Sequence, residues 1–178
     1  MLEEQKMPLK VLLVDDDHSD LALMGMAIER SQRDIWLQTA SDAQRAIDYL
    51  AGRDVYADRG MHPLPDLVIL DLDMPLSGGF DFLDWRRASA ASASIPVAIL
   101  SGWAYPGAIQ TALSMGAVAS FAKPAQFEDW TSLVEQVWNL GKSLGLALLK
   151  PFSTLSGPLQ QNQNAPGQDL LPGQGAAF

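Results

Sequence analysis

Two short runs, residues 10–15 (KVLLVD) and 66–71 (DLVILD), are apolar at consecutive positions and each closes on aspartate. An alternating strand has one wet face. A run that is apolar on both faces must be covered on both, as in a parallel sheet layered between helices. Residues 96–100 (PVAIL) and 118–122 (VASFA) read the same way, and residues 35–39 form a weaker strand. Between the strands lie helical periods at about 19–30, 42–51, 79–90, 106–115 and from Phe127 towards Leu148. In the first, Leu21, Met24 and Ile28 share a face. In the second, Ala43, Ala46, Ile47 and Leu50 point inward, with Ser41 or Asp42 as the cap. Strands alternating with helices predict an α/β chain. Right-handed crossovers make it a doubly wound five-stranded parallel sheet. In such sheets, chemistry gathers at the carboxyl ends of the strands.

Those ends carry a distinctive set. Asp15, Asp16 and Asp17 follow the first strand, Asp71 ends the third with Asp73 two residues on, Ser101 follows the fourth and Lys123 the fifth. Clustered carboxylates repel one another unless a cation joins them. Mg²⁺ suits a site of a few carboxylates, a carbonyl and waters. A metal, a lysine and a hydroxyl together make a pocket for a phosphoryl group, and a carboxylate inside it is a usable nucleophile.

Composition excludes other chemistry. With 12 Lys+Arg against 21 Asp+Glu, the formal charge of −9 repels nucleic-acid phosphates, so no nucleic-acid partner is expected. The absence of cysteine removes thiol catalysis and Cys-based zinc sites. No apolar run approaches the ~18–20 residues that span a bilayer, and the charged N-terminus is no secretory signal. A cytoplasmic location without membrane attachment is expected. His18 and His62 read as surface residues, Asp17 and Asp20 as helix caps, and Asp73 as either a solvated loop side chain or a site residue.

VLLVDDD, LVILDLDMPLSGG, ILSG and FAKPA, in that order at four strand ends, resemble the receiver domains of response regulators in two-component phosphorelays. The resemblance covers roughly residues 10–144. It implies a flavodoxin-like (βα)5 fold with strand order 2-1-3-4-5. It also implies that Asp71 is the phosphoacceptor, phosphorylated by a sensor histidine kinase in a Mg²⁺-dependent reaction. Asp16 would ligate Mg²⁺ directly, Asp15 mainly through water, and Asp73 through its backbone carbonyl. Ser101 would bind phosphoryl oxygens and reorient, Lys123 would pair with the phosphoryl group, and Gly102 would leave room for the donor. Such a domain signals and is not an enzyme in its own right. The loop at 54–65 (YADRG…PLP) looks like that of stand-alone receivers paired with phytochrome-type kinases.

Three features depart from the family pattern. Receivers commonly carry Tyr or Phe three residues before the lysine; here that position is Ser120, and Phe121 follows it. Either Phe121 is core or a bulge shifts the register, because strand neighbours face opposite ways. Trp103 is bulky for a place two residues after Ser101, where it would shield the phosphoryl group or touch a partner. Ala125 replaces the aromatic that often follows the proline. Two other readings remain: a receiver-like binding module that signals without phosphate, and a haloacid-dehalogenase-type phosphatase. In the phosphatases, however, the aspartate motif comes first and the acidic pair last.

The expected organisation is an N-terminal extension over 1–9, a receiver over 10–149 and a disordered, Gln/Gly/Pro-rich tail over 150–178. Output would be a contact with a downstream protein. On the last helix Phe127, Trp130, Leu133, Val134, Val137, Trp138, Leu140, Leu144 and Leu148 form an apolar arc wider than the ~100° stripe of an ordinary surface helix. That width suggests homodimerisation or partner docking through helices four and five.

Overall fold

A computed structural model describes residues 7–75, 78–102 and 106–146. Five strands, β1 (Leu9–Val14), β2 (Ile35–Ala40), β3 (Leu67–Asp71), β4 (Val97–Ser101) and β5 (Ala119–Ala122), alternate with five helices. These are α1 (His18–Ser31), α2 (Ala43–Ala51), α3 (Gly79–Ala88), α4 (Pro106–Ser114) and α5 (Phe127–Ser143). The strands form one sheet in the order β2-β1-β3-β4-β5, and every pairing is parallel. This is the doubly wound sheet expected from the strand pattern, in the flavodoxin-like order that the receiver resemblance implies.

Strand alternation sends successive side chains into two cores. Leu12, Val14, Val68, Leu70, Val97 and Ile99 face one layer, which includes Tyr49, Phe82, Leu83 and Ala112 from α2, α3 and α4. Leu9, Val11, Leu13, Leu67, Ile69 and Leu100 face the other, with Met24 and Ile28 of α1 and Trp130, Leu133, Val134, Val137 and Trp138 of α5. Each fully buried Leu, Ile or Val contributes about 1.5–3 kcal/mol. The wide arc of α5 is therefore largely spent inside the domain. Its five central residues are at most 3% exposed, and Arg33 lies over the Trp138 ring while pairing with Glu135 at 2.7 Å. Only Leu144 of the arc is clearly exposed among the described residues.

The helix ends follow local chemistry. Asp17 caps α1 by accepting from the Ser19 N–H, and Asp42, not Ser41, caps α2 through the Arg45 N–H. Helix α5 stops at Ser143, short of the expected Leu148. Gly145, at φ +73°, turns the chain, and the Leu146 N–H reaches back to the Gly141 carbonyl at 2.8 Å. That is a glycine-terminated helix end. Leu148, Trp103 and the tail from 150 lie outside the described residues.

The segment from 53 to 65 is a built structure rather than a plain loop. It holds a 3-10 turn, Asp54–Tyr56, and is clamped by Arg59, whose guanidinium donates to the carbonyls of Tyr49, Leu50 and His62 at 2.8–3.1 Å. The Tyr49 hydroxyl donates to the Pro63 carbonyl at 2.7 Å. Gly52 ends α2 at φ +67°, and a Cβ there would meet Arg59 Nη2 at 2.7 Å. His62 is half-buried rather than fully exposed: its ring packs edge-on against Tyr49 and Tyr56, and its Nδ1 is buried. His18 is exposed as expected.

Candidate functional site

Parallel pairing sets the strand ends level. Asp71 is opposite Leu100 at the close of β3 and β4, and Ser101 is opposite Ala122 at the close of β4 and β5. The Asp15 N–H donates to the Ala40 carbonyl and the Lys123 N–H to the Ser101 carbonyl, both at 3.0 Å. Residues more than a hundred positions apart in sequence thus share one edge. Gly79 lets α3 start against that edge, since a Cβ there would lie 2.7 Å from the Asp71 carbonyl oxygen.

Asp71 is 3% exposed and held at both oxygens. Its Oδ1 accepts the Asp73 N–H and its Oδ2 accepts from Lys123 Nζ, each at 2.8 Å. Lys123 Nζ also lies 2.9 Å from Asp15 Oδ2 and 2.7 Å from Asp20 Oδ2. Ser101 Oγ donates to Asp73 Oδ2 at 2.9 Å. Ligand oxygens of Asp15, Asp16 and Asp71 all lie within 4.8 Å of one another. Asp15 is fully buried; its Oδ1 accepts the Asp17 N–H, while its Oδ2 has the ion contact with Lys123 but no hydrogen bond. Beside Asp16 opens a cleft of about 500 Å³, lined also by Ser41, Asp42, Gln44, Arg45, Met74 and Pro75.

The electrostatics follow from one ammonium among many carboxylates. Burial pushes the Asp15 carboxyl above its ordinary value, against the pull of Lys123 and the Asp17 N–H. Burial alone would lower the pKa of Lys123, but the carboxylates of Asp15, Asp20 and Asp71 against its ammonium outweigh it and hold the group firmly charged. Asp15, Asp16, Asp20, Asp71 and Asp73 outnumber that one cation. A divalent ion among the Asp15, Asp16 and Asp71 oxygens would relieve the excess, so this donor set fits a hard metal.

The structure brings together every residue singled out at the strand ends: Asp15, Asp16, Asp71, Asp73, Ser101 and Lys123. Asp17 is a cap, as expected. Asp20 is not. It sits in the first turn of α1 with its carboxylate on Lys123. It does not immediately follow a strand, so inspection of strand ends misses it. Its signal is position: three residues past the Asp17 cap, about one helical turn. Asp73 is more than a solvated side chain, because it accepts from Ser101. Gly102 leaves ordinary contact distance to the Lys123 stem, 3.8 Å for an added Cβ. The β5 register is regular, with no bulge: Phe121 packs on the α1–α5 side and Ser120 is exposed on the other.

A family model described as the response regulator receiver domain matches residues 11–135. The chain belongs to that family. The Probable methanogenesis regulatory protein FilR2 of Methanothrix harundinacea is 31% identical over 75% of this chain and 84% of its own length. Two plant two-component response regulators, from Oryza sativa and Arabidopsis thaliana, also match, but the chain spans only 64% and 62% of their lengths. Among solved structures, the response regulator RPA3017 in red light signalling of R. palustris superposes with a TM-score of 0.69. It is 30% identical, over 75% of this chain and 93% of that one. The phosphorylated cyanobacterial phytochrome response regulator RcpA gives a TM-score of 0.68 at 25% identity, over 77% and 96%. The receiver is thus a two-component signalling domain similar to phytochrome-associated regulators. Among the described residues, no helix of this receiver is long and apolar enough to cross a membrane.

Proposed function

We propose that this receiver accepts a phosphoryl group on Asp71 from a sensor histidine kinase in a Mg²⁺-dependent reaction, and that the modified domain signals by a protein contact. The observation that carries this is the setting of Asp71: Lys123 Nζ lies 2.8 Å from its Oδ2, and its carboxylate lies within 4.8 Å of ligand oxygens of Asp15 and Asp16. RcpA, a phytochrome response regulator captured in its phosphorylated form, supports the same reading and favours a kinase of the phytochrome type. The unit is taken as residues 10–149, between an extension and a tail.

Asp71 attacks phosphorus, the bond to the kinase histidine breaks, and the histidine nitrogen leaves with the electron pair. The two hydrogen bonds on Asp71 fix its orientation, which lowers the entropic part of the barrier. Asp15, Asp16, Asp71 and the Asp73 backbone carbonyl would hold Mg²⁺, whose bound charge offsets that of the phosphoryl oxygens. Lys123 turns from Asp71 Oδ2 towards the new anion. Ser101 exchanges its Asp73 partner for a phosphoryl oxygen, a movement at the end of β4. With Ser120 exposed and Phe121 in the opposite core, no ring three residues before Lys123 takes part in that movement.

The test is phosphotransfer from purified phytochrome-type kinases. Label should pass to the receiver with Mg²⁺ and stop with a chelator. Transfer unaffected by chelation, or no transfer from any histidine kinase or acetyl phosphate, would reject the reading.

A further inference from the structure

The ion pair between Asp20 and Lys123 goes beyond the strand-end set. We infer that Asp20 is a positioning residue that anchors Lys123 while the lysine moves one of its donors from Asp71 to the phosphoryl group. This deepens the phosphoacceptor reading and rests on it.

A lysine ammonium has three donors and sits on a flexible stem. Here three carboxylates surround the ammonium, Asp15, Asp20 and Asp71, at 2.9, 2.7 and 2.8 Å, with a hydrogen bond to Asp71. The three partners are not equivalent. Asp71 loses its carboxylate charge when it becomes an acyl phosphate, so its grip weakens as the reaction proceeds. Asp15 belongs to the group of oxygens able to hold a metal, and a divalent cation there competes with Lys123 for the same carboxylate. Asp20 stands outside that ligand group and outside the bond-forming atoms. Its backbone is fixed in the first turn of α1, where the Asp17 cap secures the helix start. Both partners are largely shielded, at 16% and 18% exposure, so the charge-assisted bond is only partly screened. Of the three carboxylates, only Asp20 keeps its charge and position before, during and after transfer. Without it, Lys123 would lose the anchor that keeps its ammonium in place as Asp71 gives up its charge to the phosphoryl group.

The experiment uses the full chain with Asp20→Ala and Asp20→Asn, titrated calorimetrically with Mg²⁺ alone and then with beryllofluoride at saturating Mg²⁺. Mg²⁺ affinity should stay within about twofold, while beryllofluoride affinity falls about tenfold in Asp20→Ala, the scale of one charge-assisted hydrogen bond. Asp20→Asn, which keeps an accepting oxygen, should recover part of the loss. Wild-type beryllofluoride affinity in both variants would overturn the inference, even with a lowered melting temperature, because Asp20 would then be merely structural. Equal losses of Mg²⁺ and beryllofluoride affinity would overturn it too, by placing Asp20 in the metal site. If Asp20→Ala does not fold, Asp20→Asn decides: a wild-type affinity overturns, an intermediate one supports. A wild-type chain that ignores beryllofluoride overturns the phosphoacceptor reading itself.

Discussion

Asp15 carries the largest conflict between burial and charge in the site. Its carboxyl is raised above the usual 3.8 by burial, so at intermediate pH the folded chain keeps a proton that the unfolded chain has lost. The stability tied to this group is complete below 3.8 and is lost as pH rises through the raised folded value. Above that raised value, ionised Asp15 is therefore a cost to the metal-free fold. Asp15→Asn keeps the acceptor for the Asp17 N–H and removes the charge. Without metal at pH 7 the variant should melt a few degrees higher, the scale of about 1 kcal/mol for a chain of this size. The wild type should gain about 2.7 kcal/mol at a Mg²⁺ concentration a hundred times its Kd, and the variant much less. A lower melting point for the metal-free variant, or equal Mg²⁺ stabilisation of both proteins, would contradict this. The Asp15 and Asp71 positions were legible in the sequence because strand ends in a parallel sheet must converge. Asp20 was not, because its role depends on where a lysine side chain finds its third partner.

At the scale of elements, the apolar runs and helical periods announced the sheet and its helices, since burial on two faces leaves a pattern in sequence. The order in residues 53–65 leaves none. It comes from Arg59 bonding to carbonyls at the end of α2, and such bonds have no periodicity. Burial pushes the Tyr49 phenol up to about 12, with the Arg59 charge pulling against it, so it stays a donor to Pro63 across the physiological range. Arg59→Ala should cost about 1–3 kcal/mol by leaving the α2 carbonyls less well satisfied. It should also speed amide exchange at the end of α2 and in the 53–65 segment. Thermal melting and hydrogen exchange would check this, and unchanged exchange there would refute the clamp. Helix α5 taught a different lesson: an apolar arc wide enough for a partner was consumed by the β1–β3 face, α1 and Arg33, since a helix over the sheet beside another helix packs against both at once.

For the whole molecule, one sheet separates two cores and gathers the reactive side chains along one edge, beyond the core. Modification at that edge can then alter a surface without dismantling either core. The formal charge of −9 concentrates part of its excess there, so a divalent cation must offset those carboxylates before an anionic phosphoryl donor can be held beside them. The most direct measurement is to phosphorylate the chain with acetyl phosphate and Mg²⁺, reduce the acyl phosphate with borohydride, and locate the modified residue by mass spectrometry. The expected result is modification at Asp71 alone, absent in Asp71→Asn and absent without Mg²⁺. Modification at another residue in the wild type, or undiminished labelling in Asp71→Asn, would contradict it.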